Sequence, residues 1–238
     1  MERFGAGKRL TGTIALNRAL SKLRILSRAQ ATEAIRAGRV AVNGRIVRDP
    51  SVRVVPEKTR IEVDGAAQTK SRWRTILFCK PRGVVTTRRD PEGRRTIYDV
   101  LGAGGAGLIP VGRLDLATSG LLILTNDTQL ANRLTNPDQA VPRVYLVSVR
   151  GEVTPAQIAA LTEGVLSGKE RLRPTSVVLR KASTRESHLT IELCEGRNRE
   201  VRRLFEAIGH EVTRLKRVRF GPFDLGSLRP GEWREIRF

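Results

Sequence analysis

The sequence predicts an α+β protein in two parts. One is a small N-terminal module of two helices and a β-hairpin. The other is a larger domain with a mixed, mainly antiparallel β-sheet and flanking helices. Helical and strand-like segments are interspersed without a regular βαβ repeat, which is the pattern of α+β folds. The pair Asn43-Gly44 between two apolar segments is the strongest short signal for a hairpin. A polar stretch after Ala66 separates the two parts.

The small module is predicted to begin with two helices. Leucines at helical spacing predict the first: Leu16, Leu20 and Leu23. The second starts at Ser27, which stands three residues before Gln30 in the pattern of a capping box, and it stops at Gly38. Its apolar stripe is Ala31, Ala34 and Ile35. The hairpin at 40–46 and a strand at 60–63 complete the module.

The larger domain is predicted to contain several strands and three helices. Strands are expected at the apolar or alternating runs 76–79, 108–111, 121–124, 144–149 and 189–193. Asp127 caps the first helix, and Thr154 with Pro155 starts the second. The third helix is expected to begin near Asn198 and to stop at Gly209. Its inward stripe is Val201, Leu204, Phe205 and Ile208.

Domain boundaries follow from these patterns and from local composition. Residues 1–12 are basic, contain glycine and show no periodicity, so we expect a disordered arm. The small module then covers residues 13–66. Residues 67–73 form a linker, and the larger domain runs from 74 to 238.

Positive charge is the dominant feature of the composition. The 44 Lys and Arg residues outnumber the 24 Asp and Glu residues, which gives a net charge of +20 and favours a polyanionic partner such as nucleic acid. An anionic membrane is the weaker alternative, since no long basic amphipathic helix stands out. The small module is itself strongly basic, and an exposed, solvated helix face is the alternative explanation. Its candidate phosphate-binding residues are Arg18, Lys22, Arg24, Arg28, Arg36, Arg39 and Arg45.

Other classes of protein find little support in the composition. The two cysteines, Cys79 and Cys194, lack metal-ligand spacing and are expected to be small buried hydrophobic residues. With only His188 and His210, a histidine-rich metal centre or a Ser-His-Asp triad is poorly supported. No apolar stretch is long enough to span a membrane, and the first residues lack a secretory h-region. A cytoplasmic protein is therefore expected.

The segment 111–122 contains an acidic residue, Asp115, at a position where a charged side chain is unexpected. Asp115 stands between Leu114 and Leu116, so partial burial is expected, and burial of a carboxylate is costly unless it is paired or hydrogen-bonded. Gly112 and Gly120 bracket the loop and mark places where the backbone bends or approaches another group closely. The alternative is an aspartate that stabilises a turn through its own backbone.

Three arginines fall in the first two turns of the last predicted helix: Arg199, Arg202 and Arg203. Cations at this end oppose the helix dipole. Carboxylate or phosphate partners would supply a reason, because arginine binds both in a bidentate fork. An exposed basic face balanced by Glu200 and Glu206 is the alternative.

Both predicted parts of the chain resemble known families. Residues 14–64 resemble the S4-type RNA-binding domain, with the Ser27 helix start and Val42-Asn43-Gly44 among the matching positions. The segments GRLDLATSGLLILTND and EGRNREVRRLF resemble the signature of bacterial RsuA-type ribosomal pseudouridine synthases. Two further blocks, at residues 79–101 and 143–145, are similar to the same family. The two resemblances together cover about residues 14–238.

Apart from small departures in the Asp115 segment, the sequence differs from the RsuA-type pattern at four positions. Glu200 stands for Gln, Leu204 for Met, Arg143 for Lys and Cys79 for Asn, and we assign no role to Cys79. The segment 90–94 looks more like the large-subunit, RluB-like members than the small-subunit ones.

The resemblance implies a site in which Asp115 is the catalytic residue. An ion pair with Arg202 would keep its carboxylate charged. Tyr145 would stack on an everted uracil, although ordinary strand packing is the alternative, and Leu193 would pack on the other face of the base. Arg113 would contact phosphate or fix the loop. Whether Asp115 attacks the ribose, attacks the base or abstracts a ribose proton stays open.

The implied reaction isomerises uridine to pseudouridine in ribosomal RNA. Nothing is added or lost, so no cofactor and no metal is expected. The expected partner is ribosomal RNA or a ribosome-assembly intermediate, bound by a monomer, with Arg199 and Arg203 joining the RNA-binding residues of the small module. A non-catalytic RNA-binding protein and a basic DNA-organising protein are the competing hypotheses.

Overall fold

The computed structural model describes residues 12–23, 25–56, 58–67 and 73–236. The chain divides into two compact units, Met1–Trp73 and Arg74–Phe238. The predicted arm at 1–12 and the predicted linker at 67–73 lie almost wholly outside the described residues. No helix among the described residues is long and apolar enough to cross a membrane.

The first unit packs two helices against short strands. Its elements are β1 (Ile14–Ala15), α1 (Leu16–Lys22), α2 (Arg28–Arg36), β2 (Val40–Val42), β3 (Arg45–Ile46), β4 (Arg53–Val54), β5 (Ile61–Val63) and β6 (Ala66–Ala67). One sheet has the order β3-β2-β5-β6, and β1 pairs with β4. The predicted apolar positions of both helices are buried in one core, which confirms the helical spacing.

Local signals in the first unit are confirmed atom by atom. The Ser27 hydroxyl accepts from the Gln30 N–H at 3.3 Å, and the Gln30 side chain accepts from the Ser27 N–H at 3.0 Å, so the capping box forms. Asn43 and Gly44 have φ angles of 51° and 81°, which is the left-handed pair that a tight hairpin turn requires. The short strand β6, on the far side of a second such turn, was not predicted.

The second unit is built on one nine-stranded sheet. Its strands are β7 (Thr75–Lys80), β8 (Ile109–Pro110), β9 (Ser119–Thr125), β10 (Arg143–Arg150), β13 (Ser176–Lys181), β14 (Glu186–Leu193), β15 (Val212–Phe220), β16 (Phe223–Asp224) and β17 (Trp233–Ile236). A separate hairpin consists of β11 (Val165–Ser167) and β12 (Glu170–Leu172). The helices are α3 (Ile97–Leu101), α4 (Thr128–Thr135), α5 (Pro155–Glu163) and α6 (Glu200–Ala207).

The main path of the sheet runs β13-β14-β10-β15-β9-β7-β17, and only the β15–β9 pair is parallel. The predicted mixed, mainly antiparallel sheet is therefore confirmed. Both faces of β7 and β9 are covered, because neighbouring residues of each strand enter two different apolar clusters. This explains why all six residues of β7 are buried. Helix α6 packs into a third cluster with β10 and β14.

Helix α6 begins later than predicted. It starts at Glu200 rather than near Asn198, and Arg199 precedes it with a left-handed φ of 50°. Arg199 therefore lies at the cap position, while Arg202 and Arg203 lie in the first turn. Helix α3, the β11–β12 hairpin and strands β13, β15 and β17 were not predicted.

Candidate active site

The loop between β8 and β9 carries Asp115 and is fastened by backbone hydrogen bonds. Within the loop, the Thr118 N–H donates to the Asp115 carbonyl at 3.0 Å. The Gly83 N–H donates to the Leu116 carbonyl at 2.8 Å. These bonds fix the backbone at Asp115 and directly after it, and Asp115 itself is half-buried.

Lys80 is a further anchor that the sequence did not reveal. It is fully buried, and its ammonium donates to the carbonyls of Thr118 at 2.8 Å and Pro81 at 2.9 Å. Burial lowers the pKa of Lys80 to about 8, and the negative charge of Asp115 opposes this shift. Lys80 therefore holds the end of the loop and adds positive charge near Asp115.

The glycines that bracket the loop are there for the predicted reason. Gly112 and Gly120 have φ angles of 69° and 101°, which side-chain-bearing residues rarely adopt. A Cβ atom at Gly120 would overlap the backbone of Arg217, because β9 and β15 pair in parallel at these two residues. Close backbone approach therefore joins the loop to β15.

The predicted ion pair between Asp115 and Arg202 is not formed. Among the described residues, no Lys, Arg or His nitrogen lies within 4.0 Å of the Asp115 carboxylate. The Arg202 guanidinium donates instead to the carbonyls of Val212 at 3.0 Å and Ala117 at 3.4 Å. Two backbone acceptors thus take the donors that the prediction assigned to the carboxylate.

Arg202 nevertheless interacts electrostatically with Asp115. Burial lowers the pKa of the Arg202 guanidinium, and the positive charges of Arg199 and Arg82 act in the same direction. The charge of Asp115 opposes them. Since Ala117 lies two residues after Asp115, Arg202 both fastens the loop and supplies a positive field beside the carboxylate.

A cavity of about 890 Å³ opens beside Asp115. It brings together most of the residues that were singled out in the second unit: Arg113, Asp115, Tyr145, Leu193, Arg199 and Arg202. Arg203 does not line it. That guanidinium donates to the Ser167 hydroxyl at 3.0 Å and pairs with Glu170 at 2.5 Å, so it ties α6 to the β11–β12 hairpin.

The wall of the cavity formed by β10 and β15 holds two buried arginines. Arg143 and Arg217 lie over the ring of Phe220, with distances of 4.8 and 4.7 Å from guanidinium carbon to ring centroid. Arg143 also donates to four backbone carbonyls, those of Leu134, Val141, Cys194 and Glu195. Its position was noticed in the sequence only as a substitution of Lys, and Arg217 was missed.

Glu200 lines the same cavity as a buried acid. One carboxylate oxygen accepts from the Arg197 N–H at 3.2 Å, and the other has no hydrogen-bond partner among the described residues. Burial raises the pKa of Glu200, and the nearby charge of Glu195 adds to this. The Arg197 N–H bond and the charges of Arg197 and Arg143 lower it.

The predicted RNA-binding residues of the first unit lie on its surface. Six of the side chains are exposed: Arg18, Lys22, Arg28, Arg36, Arg39 and Arg45. The seventh candidate, Arg24, lies outside the described residues. Arg39 forms an ion pair with Asp64 at 3.2 Å. The described residues contain no group of three or more His, Cys, Asp or Glu side chains that could hold a metal ion.

Comparisons with known proteins match both units of the chain to known families. A family model described as RNA pseudouridylate synthase matches residues 74–207, and a model of the S4 domain matches residues 16–59. The ribosomal large subunit pseudouridine synthase B of Vibrio cholerae is 42% identical over 217 residues, which cover 88% of this chain and 67% of that protein.

Two further relatives cover nearly all of the chain. The protein of the same name from Bacillus subtilis is 36% identical over 225 residues, which cover 93% of this chain and 91% of that protein. A solved structure described as the crystal structure of pseudouridylate synthase has a TM-score of 0.65 and 32% identity. It covers 94% of this chain and 96% of its own.

Proposed function

The chain belongs to the RNA pseudouridylate synthase family, and on that basis we propose that it converts uridine to pseudouridine in the RNA of the large ribosomal subunit, with Asp115 as the catalytic residue. The names of the Vibrio cholerae and Bacillus subtilis relatives support the choice of large-subunit RNA. Membership of an enzyme family does not favour the non-catalytic alternative.

The observation that carries the assignment of Asp115 is its place in the cavity. The carboxylate stands on a loop fixed by Lys80, Gly83 and Arg202, at the edge of a cavity that Tyr145 also lines. A reacting group must be held in one geometry, and these three contacts hold the carbonyls of Leu116, Ala117 and Thr118, directly after Asp115. The turn-stabilising alternative explains less, because the Thr118 N–H bonds the Asp115 main-chain carbonyl rather than its side chain.

The proposed reaction requires one carboxylate and a uracil ring that has left the stacked RNA helix. The bond from ribose C1′ to uracil N1 breaks, the base turns, and a bond to C5 forms. In this scheme Tyr145 stacks on the everted base and Leu193 packs against it. Arg202 holds the loop in place through the Ala117 carbonyl and places a positive charge near the Asp115 carboxylate.

RNA is held outside the cavity by exposed cations. Those of α1, α2 and the β2–β3 hairpin bind phosphate in this scheme, and Arg113 and Arg199 do so at the cavity. We further propose that a single chain acts, in the cytoplasm, on large-subunit RNA or an assembly intermediate, and that it needs no cofactor or metal.

Replacing Asp115 by Asn tests the assignment. The variant keeps the size of the side chain and removes its charge, so we expect pseudouridine formation on a large-subunit RNA fragment to fall by at least roughly 10²–10⁴-fold. RNA affinity should stay unchanged. Asp138→Asn, which removes a second acid from the lining of the cavity, is the control. An Asp115→Asn enzyme with wild-type activity would contradict the proposal.

The target uridine is found by a separate measurement. Pseudouridines are mapped in ribosomal RNA from cells with and without the gene, and one large-subunit position should lose its modification. A loss confined to small-subunit RNA would overturn the proposed substrate and leave the role of Asp115 to the variant experiment.

A further inference from the structure

Unused hydrogen-bonding capacity is concentrated among the residues that line the cavity beside Asp115. In the described part of the chain, five buried side-chain polar atoms have no hydrogen-bond partner, and four of them belong to residues that line this cavity. They are Thr118 Oγ1, Glu200 Oε1, Arg202 Nε and Arg217 Nη2. Buried polar groups are normally paired, so such a cluster points to a polar ligand that completes the bonding.

Arg217 lies on the strand between two elements of the site. Its strand, β15, lies between β10 and β9, and its direct cross-strand neighbours are Tyr145 on one side and Gly120 on the other. Directly opposed residues on neighbouring strands have adjacent side chains. Arg217 therefore lies between Tyr145 and the end of the loop that carries Asp115.

The Arg217 guanidinium is a buried cation with a spare donor. Only 3% of the residue is exposed, and its Nε donates to the Leu121 carbonyl at 2.8 Å. No carboxylate oxygen of the described residues lies within 4.0 Å of it. Arg143, on the same Phe220 ring, has its donors bound to carbonyls, whereas Nη2 of Arg217 has no partner. Arg217 is therefore a permanently charged residue with an unpaired N–H donor in a buried site.

We propose that Arg217 is a second catalytic residue, which donates from Nη2 to a carbonyl oxygen of the everted uracil and stabilises the negative charge that develops there. The proposal rests on the proposed function. When the bond from C1′ to N1 breaks, its electron pair passes to the base and spreads over the two carbonyl oxygens. A bond from C5 to C1′ then forms, C5 loses its proton to solvent, and N1 gains one.

Negative charge reaches a carbonyl oxygen on each route that Asp115 could follow. If Asp115 attacks the ribose or removes a ribose proton, the uracil leaves as an anion. If it attacks the base, the ring becomes an enolate, again with charge on a carbonyl oxygen. A fixed donor in a sheltered site stabilises such charge without reorganisation.

Burial favours the base over an RNA phosphate as the group that Arg217 contacts. The exposed arginines at the cavity, Arg113 and Arg199, are accessible to the backbone of the RNA. Arg217 instead lies beside Tyr145, the residue proposed to stack on the base. A phosphate contact would chiefly set RNA affinity, whereas a contact to the base would chiefly set the rate of reaction.

The test compares Arg217→Met and Arg217→Lys with the matched variant Arg219→Met. Arg219 is an exposed arginine on the same strand and does not line the cavity. With enzyme in excess over a large-subunit RNA fragment, we expect Arg217→Met to slow the single turnover about 10²–10³-fold. Arg217→Lys should recover part of the rate, RNA affinity should not change, and Arg219→Met should react as the wild type does.

Substrates with one altered oxygen identify the contact. The target uridine is replaced by 2-thiouridine or 4-thiouridine, whose sulfur is a weaker acceptor. With one of the two, Arg217→Met should cost much less than it costs with uridine, because the contact is already weakened. An equal cost with both, a loss of affinity in place of rate, or full activity of both Arg217 variants would overturn the proposal.

Two controls keep the outcomes separate. If Arg217→Met does not fold, as judged by thermal unfolding, Arg217→Lys with the thio substrates decides the question alone. Wild-type turnover and its loss in Asp115→Asn test the proposed function itself. A wild type without activity would refute that function and this proposal with it, whereas an active wild type with the outcomes above refutes only the role of Arg217.

Discussion

Individual side chains around the cavity are bonded mainly to backbone rather than to one another. Lys80, Arg143 and Arg202 all direct their donors at carbonyls, and Glu200 accepts from a main-chain N–H. Their charges are thus held in place without being neutralised by a partner. Among these side chains, Glu200 is a buried acid whose protonation affects stability and can be followed by unfolding at different pH.

Glu200→Gln is predicted to stabilise the protein at neutral pH. Burial raises the pKa of Glu200 in the folded state, so the folded chain holds this proton more tightly than the unfolded chain. Ionised Glu200 therefore destabilises the folded state increasingly as the pH rises above the pKa of this residue in the unfolded chain. Well below that pKa the effect is absent. Gln keeps an acceptor for the Arg197 N–H and carries no charge.

Thermal unfolding of the two proteins at acid and at neutral pH measures this effect. The advantage of Glu200→Gln should be larger at neutral pH and should shrink toward acid pH. Glu206→Gln, an exposed acid on the same helix, is the control and should show no such dependence. An advantage that does not vary with pH would count against burial as its cause.

The sequence located the residues of this site unevenly. Asp115 stands out through its apolar neighbours and flanking glycines, which lie beside it in the chain, but its catalytic role is implied only by the resemblance to the RsuA-type family. The pairing of Arg202 could not be predicted, since its acceptors, Ala117 and Val212, are backbone atoms brought close only by folding. Every residue has a backbone carbonyl, so the pattern of side chains in the sequence does not indicate which carbonyl will accept a given hydrogen bond. Lys80 was missed for the same reason.

Among the secondary-structure elements, the parallel pair β9–β15 sets the position of the loop that carries Asp115. Gly120 lies at the end of that loop and directly opposite Arg217. Its backbone conformation and the close approach of the two strands both require a residue without a side chain. The pair therefore depends on one glycine.

Gly120→Ala is predicted to destabilise the protein by at least about 1–3 kcal/mol, because the added methyl group would force the two strands apart. The loop should shift with them, so activity should fall as well. Gly107→Ala has a similar positive φ of 71° but no atom within 4 Å of the added group. Denaturant unfolding should show a smaller loss for Gly107→Ala, and an equal loss would mean that backbone strain alone is responsible.

Elements with local signals were predicted, and elements defined by distant partners were not. Helices α2, α4 and α5 directly follow Ser27, Asp127 and Thr154, whose side chains cap them as expected. Strand β15 mixes apolar and basic residues without a regular alternation, since Val212, Leu215 and Val218 stand three residues apart. Its place in the sheet comes from strands far away in the sequence, so the segment itself held no local sign of a central strand.

For the whole molecule, the net charge of +20 makes RNA binding dependent on salt. We predict that Arg18, Arg28 and Arg36, all replaced by Gln, will weaken binding to every RNA sequence. The dependence of log affinity on log salt should become shallower by about 0.7–0.9 per lost phosphate contact. Filter binding at several salt concentrations measures both effects.

The matched control replaces three exposed cations of the second unit by Gln: Arg180, Lys181 and Arg185. This variant has the same net charge, so a contribution of total charge alone would make the two variants equal. Single turnover with saturating enzyme should be normal in both. Equal loss of affinity would argue against a dedicated surface on the first unit.

The central position of β15 also has a consequence for biosynthesis. Tyr145 and the Asp115 loop become neighbours of one strand only when residues 212–220 pair between β10 and β9. A growing polypeptide is made from its N-terminus, and early domains fold first. The nascent protein therefore completes its exposed cationic module long before the proposed active site, and a chain truncated during translation before β15 would carry that module without that site.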